Sequence, residues 1–434
     1  PFNLTHPTAV QASLFASAAF ARFDPSGRYL GVGRSNGAAA VWDLETRARI
    51  RSLEGHVKAV TSLDWSSNSR WIITSSKDWN VIKWDLASQC DPIQRMATIR
   101  FDGPVVSASF HPRNSNIVLA LLGSGEAYVE DLRRNSRSRI ELCEVQQQED
   151  GQSSRSRSNM TVARFDPSGK LIFIGTSSGY VLVFNTRTKV MVARHKISGA
   201  VGTIKGLAFA KSGRRLVTNS SDRTLRQFNL PMYRTLTPES EFIDDELEPT
   251  HRFHDPINKT GWHGMTYSPD GEWLAGGATD TASHKIYIWD ISNDGQFASA
   301  LDGGREPLVD IHWHPSKSSI VSTTKEGNVL LWHSPNPERW GAFAGGFEEV
   351  DENVEYDERE DEFDIEDEEE IIKRKMKAED EEVDIDTIVE DTARRNILLD
   401  GLDAEDEDIA WAASDRDDVG EFRMKIIMQE EIDE

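Results

Sequence analysis

Phe23-Asp24-Pro25-Ser26-Gly27 leads into Tyr29-Leu30-Gly31-Val32-Gly33, then through a turn at Ser35-Asn36-Gly37 into Ala40-Val41-Trp42-Asp43. An aromatic residue before an Asp-Pro-Ser-Gly turn closes one short strand. The Tyr29–Gly33 run supplies a second, and the run ending in Trp-Asp a third. The cassette returns at Leu63-Asp64-Trp65 with Trp71-Ile72-Ile73-Thr74, Lys77-Asp78 and Ile82-Lys83-Trp84-Asp85. Its opening returns at Phe110-His111-Pro112, Phe165-Asp166-Pro167-Ser168-Gly169, Phe209 with Ser212-Gly213, Tyr267-Ser268-Pro269-Asp270-Gly271 and Trp313-His314-Pro315. Closing apolar strands follow at Val129, Val183-Phe184-Asn185, Gln227-Phe228-Asn229, Ile288-Trp289-Asp290 and Leu331-Trp332-His333, completing seven cassettes.

The strands alternate with period two or are apolar throughout, and a fourth falls in the gap before the next unit. Glycine inside nearly every segment argues against helices. A repeat of roughly 42–45 residues built from four strands is the WD40 period, and one blade cannot bury both of its faces, so the units must stack around an axis. The Trp-Asp dipeptide survives at Trp42-Asp43, Trp84-Asp85 and Trp289-Asp290, and Gly-His at Gly55-His56. The fold class expected is all-β: a seven-bladed WD40 β-propeller over residues 1–339, followed by a mostly extended acidic tail. The last cassette stops near Ser334 without a fourth strand, so Ala9–Leu14 is expected to pair there and close the ring.

Charge separates the two parts. Residues 348–434 hold 38 of the 73 acids and 10 of the 49 bases, a net of −28 within a total of −24, which leaves +4 for residues 1–347. The first part can bury a core; the second is too charged over most of its length to repay its ordering entropy alone. Cys90 and Cys143 form no CxxC pair and no histidine cluster has ligand spacing, so neither metal, cofactor nor disulfide framework is expected, and the compartment is expected to be reducing. No run of about 18 apolar residues predicts a membrane span, and no basic-then-apolar leader opens the chain, which reads as intracellular with no membrane partner.

Catalytic signatures are missing: there is no GxSxG elbow, P-loop, HExxH or GxGxxG opening a helix. His56, His111, His312 and His314 fall at repeat positions that satisfy turns and strand ends, so the chain reads as a non-enzyme without a small-molecule substrate. Two units are stretched. Arg133, Arg134, Arg137 and Arg139, then Ile140–Val145, then a loop from Gln146 to Asn159 with Arg155 and Arg157, separate the third and fourth cassettes. These arginines are candidates for nucleic-acid phosphate, or for a phosphorylated or merely solvated Ser/Arg loop. Pro231–Trp262 carries an acidic patch, Glu239–Glu248, read as a loop.

The tail intersperses large apolar groups among carboxylates. Residues 340–387 begin with Trp340, Phe343 and Phe347, pass Glu349 and Val350, and continue through Asn353, Val354, Tyr356, Glu358, Phe363, Asp364, Ile365, Glu366, Asp367 and Glu368. Apolar anchors of this kind fill a partner's pockets while the carboxylates meet a basic rim. A second island, Glu381-Glu382-Val383-Asp384-Ile385, follows the basic Lys373-Arg374-Lys375. Residues 388–434 form an acidic extension with near-helical apolar spacing over Ile388–Leu399 and a further docking candidate over Gly420–Glu434.

A propeller followed by Asp351-Glu352-Asn353-Val354-Glu355-Tyr356, Glu358-Arg359-Glu360 and Glu362-Phe363-Asp364-Ile365-Glu366-Asp367-Glu368 resembles the retinoblastoma-binding-protein-5-type family and its fungal COMPASS counterpart. These are WD-repeat subunits of COMPASS/MLL-type histone-3 lysine-4 methyltransferase complexes. The resemblance implies a nuclear, non-catalytic scaffold that bridges three partners, with its propeller resting on the nucleosome. It implies that Trp340 to Val350 contact the SET-domain catalytic subunit. It places Asn353 to Glu368 on the SPRY-domain subunit and Glu381 to Ile385 on a small WD-repeat subunit. The family reads acidic-Val-Asp-Val-Thr where this chain has Val383-Asp384-Ile385-Asp386-Thr387, so an altered contact is expected there. Two rival readings are an acidic histone chaperone, in which charge alone would bind, and a WD-repeat substrate receptor of a ubiquitin ligase. Such receptors place Arg two residues after Trp-Asp, whereas Glu45, Ala87 and Ser292 stand there.

Overall fold

The computed structural model describes residues 5–334 other than 91, 134–137, 148–152, 157, 200–201, 234–242 and 256–259, together with Met424; for 145–147 and 153–156 it describes the backbone only. It shows seven four-stranded antiparallel blades. β1 (Ala9–Phe15) precedes blade 1, which is β2 (Phe20–Phe23), β3 (Tyr29–Gly33), β4 (Ala38–Asp43) and β5 (Ala48–Glu54). Blade 2 is β6 (Val60–Trp65), β7 (Trp71–Ser76), β8 (Asn80–Asp85) and β9 (Arg95–Arg100). Blade 3 is β10 (Val105–His111), β11 (Asn114–Leu122), β12 (Ala127–Asp131) and β13 (Ser138–Leu142), followed by a hairpin of β14 (Glu144–Gln147) and β15 (Ser153–Ser156). Blade 4 is β16 (Met160–Phe165), β17 (Leu171–Thr176), β18 (Tyr180–Asn185) and β19 (Met191–Ile197). Blade 5 uses β20 (Ile204–Phe209), β21 (Arg215–Ser220), β22 (Leu225–Asn229) and, after β23 (Ile243–Leu247), β24 (His251–Phe253). Blade 6 is β25 (Trp262–Tyr267), β26 (Trp273–Ala278), β27 (Lys285–Asp290) and β28 (Gln296–Asp302). Blade 7 is β29 (Leu308–Trp313), β30 (Ser319–Thr324) and β31 (Asn328–His333), with β1 as its outer strand. β1 and β31 pair antiparallel from Ala9↔His333 to Phe15↔Asn328, so the ring leaves no open sheet edge between its ends.

Period-two patterning buried on both faces explains the packing. In β18, Val181 and Val183 face the core shared with blade 5, while Leu182 and Phe184 face the core shared with blade 3. Among the described residues seven apolar clusters result, one at each interblade junction, rather than a single central core. The first strands of blades 2 to 7 each slip register at the second residue, a bulge that turns the strand at the ring's inner rim. Thr61 and Thr161 sit at two of these bulges, and each hydroxyl donates to a carbonyl of the next blade, Val105 O at 2.8 Å and Ile204 O.

The sequence motifs acquire a physical meaning here. His111 Nε2 donates to Gly169 O at 2.9 Å, and His314 Nε2 donates to Gly27 O at 3.0 Å. Each aromatic-His-Pro turn thus clasps the Pro-Ser-Gly turn of the following blade. The glycines are required: both lie at positive φ, 77° and 80°, and a Cβ would stand 2.2 Å from His314 and 2.4 Å from His111. The Gly55-His56 motif serves blade 2 internally. His56 Nδ1 donates to Asp78 Oδ2 at 3.0 Å, Thr74 Oγ1 donates to His56 Nε2 at 2.9 Å, and Trp84 Nε1 donates to the same Thr74 oxygen at 2.8 Å. Thr74→Val keeps the shape but orphans two buried polar groups. It is expected to cost about 2–5 kcal/mol in denaturant unfolding; a loss under about 1 kcal/mol would show that this chain is not a stability element.

Two insertions differ from the expectation. The Gln146–Asn159 loop contains the second strand of a hairpin, β15, registered against β14 from Glu144↔Ser156 to Gln147↔Ser153. The acidic patch read as a loop contains β23, which adds to blade 4 as a fifth strand, parallel to β19. Its register sets Arg194↔Asp244, His195↔Asp245 and Lys196↔Glu246 opposite one another. Opposite charges across a strand pair favour this pairing, so the patch is neutralised by its neighbour rather than solvated as a loop.

Candidate interaction surfaces

The first strands line the axis, and the residue before each blade's aromatic forms one level of the channel: Arg22, Asp64, Ser109, Arg164, Ala208, Thr266 and His312. Most of the polar groups at this level act as stitches. Asp64 Oδ2 accepts from Phe110 N–H at 2.8 Å, Thr266 Oγ1 from Trp313 N–H at 3.3 Å, and His312 Nδ1 from Phe23 N–H at 3.2 Å. Arg22 forms an ion pair with Asp310 across blades 1 and 7. A cavity of about 280 Å³ opens beside them, edged by Arg164, Lys205 and His263. Burial pushes the Asp64 carboxyl up to about 6 against the downward pull of the Phe110 and Trp65 amides. Burial, then Arg22 and Arg164, hold His312 well below the ordinary histidine range, consistent with its role as a neutral acceptor. Arg164 is enclosed by the channel wall yet keeps solvent-accessible surface, because the channel itself is open; burial lowers its basicity, with Arg22 acting in the same direction. Among the described residues no cluster of His, Cys, Asp and Glu side chains is placed to hold a metal ion.

Two of the six arginines singled out in the sequence can be placed in full. Arg133 Nε donates to Asp131 at 3.0 Å. Arg139 Nε donates to Glu130 at 2.8 Å, and its guanidinium lies 4.3 Å from the Phe101 ring. Both charges are therefore engaged within blade 3, and phosphate would have to compete with buried carboxylates for them. Arg155 belongs to β15 by its backbone, whereas Arg134, Arg137 and Arg157 lie outside the described residues. All the tail positions from Trp340 to Ile385 lie outside them as well.

A rim on blades 2 and 3 was not anticipated. Trp79 is 40% exposed and adopts φ 72°, in the turn where Gly37, Gly125, Gly179 and Gly327 take φ 83° to 95° in other blades. A bulky residue in the left-handed region is strained by about 1–2 kcal/mol. Val57, 86% exposed, is tied by its N–H to Asp78, the neighbour of Trp79. Trp79 O accepts from Phe101 N–H, and Val106 follows the Val105 carbonyl held by Thr61. The signal lay in comparing turn residues between cassettes: a tryptophan where the repeat uses glycine.

The comparisons with known proteins follow from this geometry. The family model described as "WD domain, G-beta repeat" matches residues 47–85 and 192–229, in blades 1–2 and 4–5. The Schizosaccharomyces pombe protein "Set1 complex component swd1" is 33% identical over 374 residues, covering 85% of this chain and 89% of the relative. The chain belongs to the Swd1 and retinoblastoma-binding protein 5 family. The Swd1-family likeness extends to the Saccharomyces cerevisiae "COMPASS component SWD1", 32% identical over 87% of this chain and 88% of the relative. It extends also to the Drosophila melanogaster "Retinoblastoma-binding protein 5 homolog", 33% identical over 89% of this chain and 75% of the relative. The crystal structure of the Myceliophteria thermophila Cps50 (Swd1) β-propeller domain superposes with a TM-score of 0.64 at 30% identity, covering 75% of this chain and 98% of that one. Coverage of 85–89% exceeds what the propeller alone occupies, so the Swd1-family likeness reaches into the acidic tail.

Proposed function

We propose that this Swd1-family chain is a nuclear, non-catalytic scaffold of a histone-3 lysine-4 methyltransferase complex, acting through its tail. The observation that carries the reading is the likeness, over most of both chains, to a Set1-complex component and a COMPASS component at about a third identity. The channel supports it too: Asp64, Thr266, His312 and Arg22 are occupied in holding blades together. In this reading Trp340, Phe343, Phe347, Glu349 and Val350 engage the SET-domain catalytic subunit. Asn353 to Glu368 engage the SPRY-domain subunit, and Glu381 to Ile385 a small WD-repeat subunit. Touching two or three partners from one chain raises the effective concentration of each weak contact. Holding a mobile SET domain in its productive arrangement raises rate without adding a catalytic group. The propeller rests on the nucleosome, where basic residues give salt-sensitive binding.

Deleting residues 340–387 tests this directly. The shortened chain is expected to fold, to keep its propeller's circular dichroism, and to lose its stimulation of methyl transfer by a reconstituted SET-domain and SPRY-domain pair by about tenfold or more. Undiminished stimulation would place the activating surface on the propeller instead.

A further inference from the structure

Most polar residues of the channel wall serve the blades themselves, but three do not. The bulge at the second residue of an inner strand aims one side chain at the channel rim. In blades 2 and 4 that residue is Thr61 or Thr161, which bonds to the next blade, and in blades 3 and 7 it is Val106 or Val309. Blades 5 and 6 place Lys205 and His263 there instead. Both side chains are exposed, and neither makes a hydrogen bond or ion pair among the described residues. The same holds for Arg164 of blade 4, whose guanidinium shares their cavity of about 280 Å³. Gly206 and Gly264 follow the two bulges and leave this wall bare. A Cβ on Gly264 would stand 3.3 Å from Asp310 Oδ1, and one on Gly206 3.2 Å from Met265 Cε.

Charge at this place is unbalanced. The lining holds Arg22, Arg164 and Lys205 against the one carboxylate of Asp310. Arg22 already takes both oxygens of that carboxylate, so the surplus rests on Arg164 and Lys205. Asp64, which Arg164 also feels, stands outside the lining and accepts from Phe110 N–H. Burial holds His263 below the ordinary histidine range, with Asp310 pulling it up and Lys205 pushing it down, so these groups share one field. A cleft lined by one sign of charge between low-dielectric walls concentrates the opposite sign. We propose that the channel cavity edged by blades 4, 5 and 6 binds a small phosphate-class anion, with Arg164, Lys205 and His263 as its donors. A guanidinium meets two phosphate oxygens with its planar fork, and an ammonium meets a third as a point charge. Donors arriving from three blades suit the several oxygen directions of a tetrahedral group better than a flat carboxylate. The cavity admits one or two linked phosphates and is far too small for a nucleic-acid duplex. Once bound, the anion joins blades 4, 5 and 6 at the rim where Thr61 and Thr161 join theirs by hydroxyl.

Titration calorimetry of the purified full chain with sodium pyrophosphate at low salt tests this. One site per chain is expected, and the melting temperature is expected to rise as the anion is added. Lys205→Thr installs the residue that blades 2 and 4 carry at this bulge, and it is expected to weaken affinity about tenfold or more. Arg164→Lys keeps the charge but removes the fork, and about a tenfold loss is expected. His263→Gln, at an exposed side chain, gives a further reading with a smaller loss in the same direction. Lys77→Ala removes an exposed lysine from the β7–β8 turn and leaves affinity unchanged, while melting without the anion reports an intact ring in every variant. No heat and no thermal shift at millimolar pyrophosphate would overturn the proposal. So would equal weakening by Lys77→Ala and Lys205→Thr, which would mean diffuse attraction to a basic surface. Citrate binding as tightly as pyrophosphate would overturn the phosphate class and make the site one for carboxylates. Displacement of pyrophosphate by a DNA duplex would overturn it too, making these residues part of an extended nucleic-acid face.

Discussion

The combined change Tyr356→Ser, Phe363→Ser and Ile365→Ser is expected to weaken binding of the SPRY-domain subunit by about 100-fold, on the order of 3 kcal/mol. Stimulation of methyl transfer should fall with it. The three side chains stand among carboxylates, so serine removes the apolar surface and leaves every charge in place. Full burial of one such side chain contributes roughly 1.5–3 kcal/mol, and part of the sum is offset by the cost of ordering the segment. The readouts are calorimetric affinity for the SPRY-domain subunit and turnover of the reconstituted complex. Unchanged affinity would mean that the tail binds by charge alone, and the acidic-chaperone reading would replace the scaffold. No change in propeller stability is expected, which separates loss of binding from loss of fold.

Lowering the pH from about 7.5 to about 5 is expected to lower the melting temperature by about 10 °C or more. Eight of the eleven histidines, five of them buried, are held below the ordinary value, in each case chiefly by burial. His111 is the clearest, pushed down to about 4. Its Nδ1 accepts from Arg113 N–H at 3.1 Å while Nε2 donates to Gly169, so a second proton would turn an acceptor toward a donor. His314 is arranged alike, with Nδ1 accepting from Ser316 and Lys317. Between the native and unfolded values the unfolded chain binds more protons, so acid favours unfolding. The stabilisation is complete above about pH 6.5 and is lost as pH falls, for His111 down to about pH 4. That one residue accounts for about 3 kcal/mol over the whole window. Asp64 opposes the trend, since its raised carboxyl takes up a proton in the native state first as pH falls through about 6. One carboxyl offsets only part of several histidines. A melting temperature flat across this range would show that the clasped histidines protonate as readily as free ones.

The two largest effects lie in different parts of the chain, and the split follows its physics. The propeller spends most of its polar residues on itself. His111, His312 and His314 join blades, Thr74 and His56 brace one, and even Arg133 and Arg139 are matched to Asp131 and Glu130. In the function proposed above, the tail's apolar anchors, which its own acidic composition is expected not to bury, find their pockets on partner proteins.

Much of this was legible without coordinates because it is local. An aromatic residue, a Pro-Ser-Gly turn and a period-two apolar run specify strand, turn and strand within about fifteen residues, and seven repetitions imply a ring because an isolated blade leaves both faces wet. The missing fourth strand after Ser334 pointed to Ala9–Leu14 by the same logic of unpaired edges. What escaped was the pairing of distant residues by charge or shape. Glu239–Glu248 looked like a loop because its acids repel when read alone; Arg194 and Lys196, some fifty positions earlier, make part of it a strand. The strain at Trp79 depends on a backbone angle that only the finished turn imposes. Gly420–Glu434 read as a docking candidate without a stated surface, and only the meeting of two blades beside Tyr29 gives Met424 its neighbours. The sequence by itself determined the blade, the number of blades and the division between a self-satisfied ring and an acidic tail, since those depend on periodicity and net charge. Only the tertiary structure decided which histidine clasps which turn, where the acidic insertion pairs and what fills the groove between blades 1 and 2, because each requires two surfaces far apart in sequence to exist before either can be recognised.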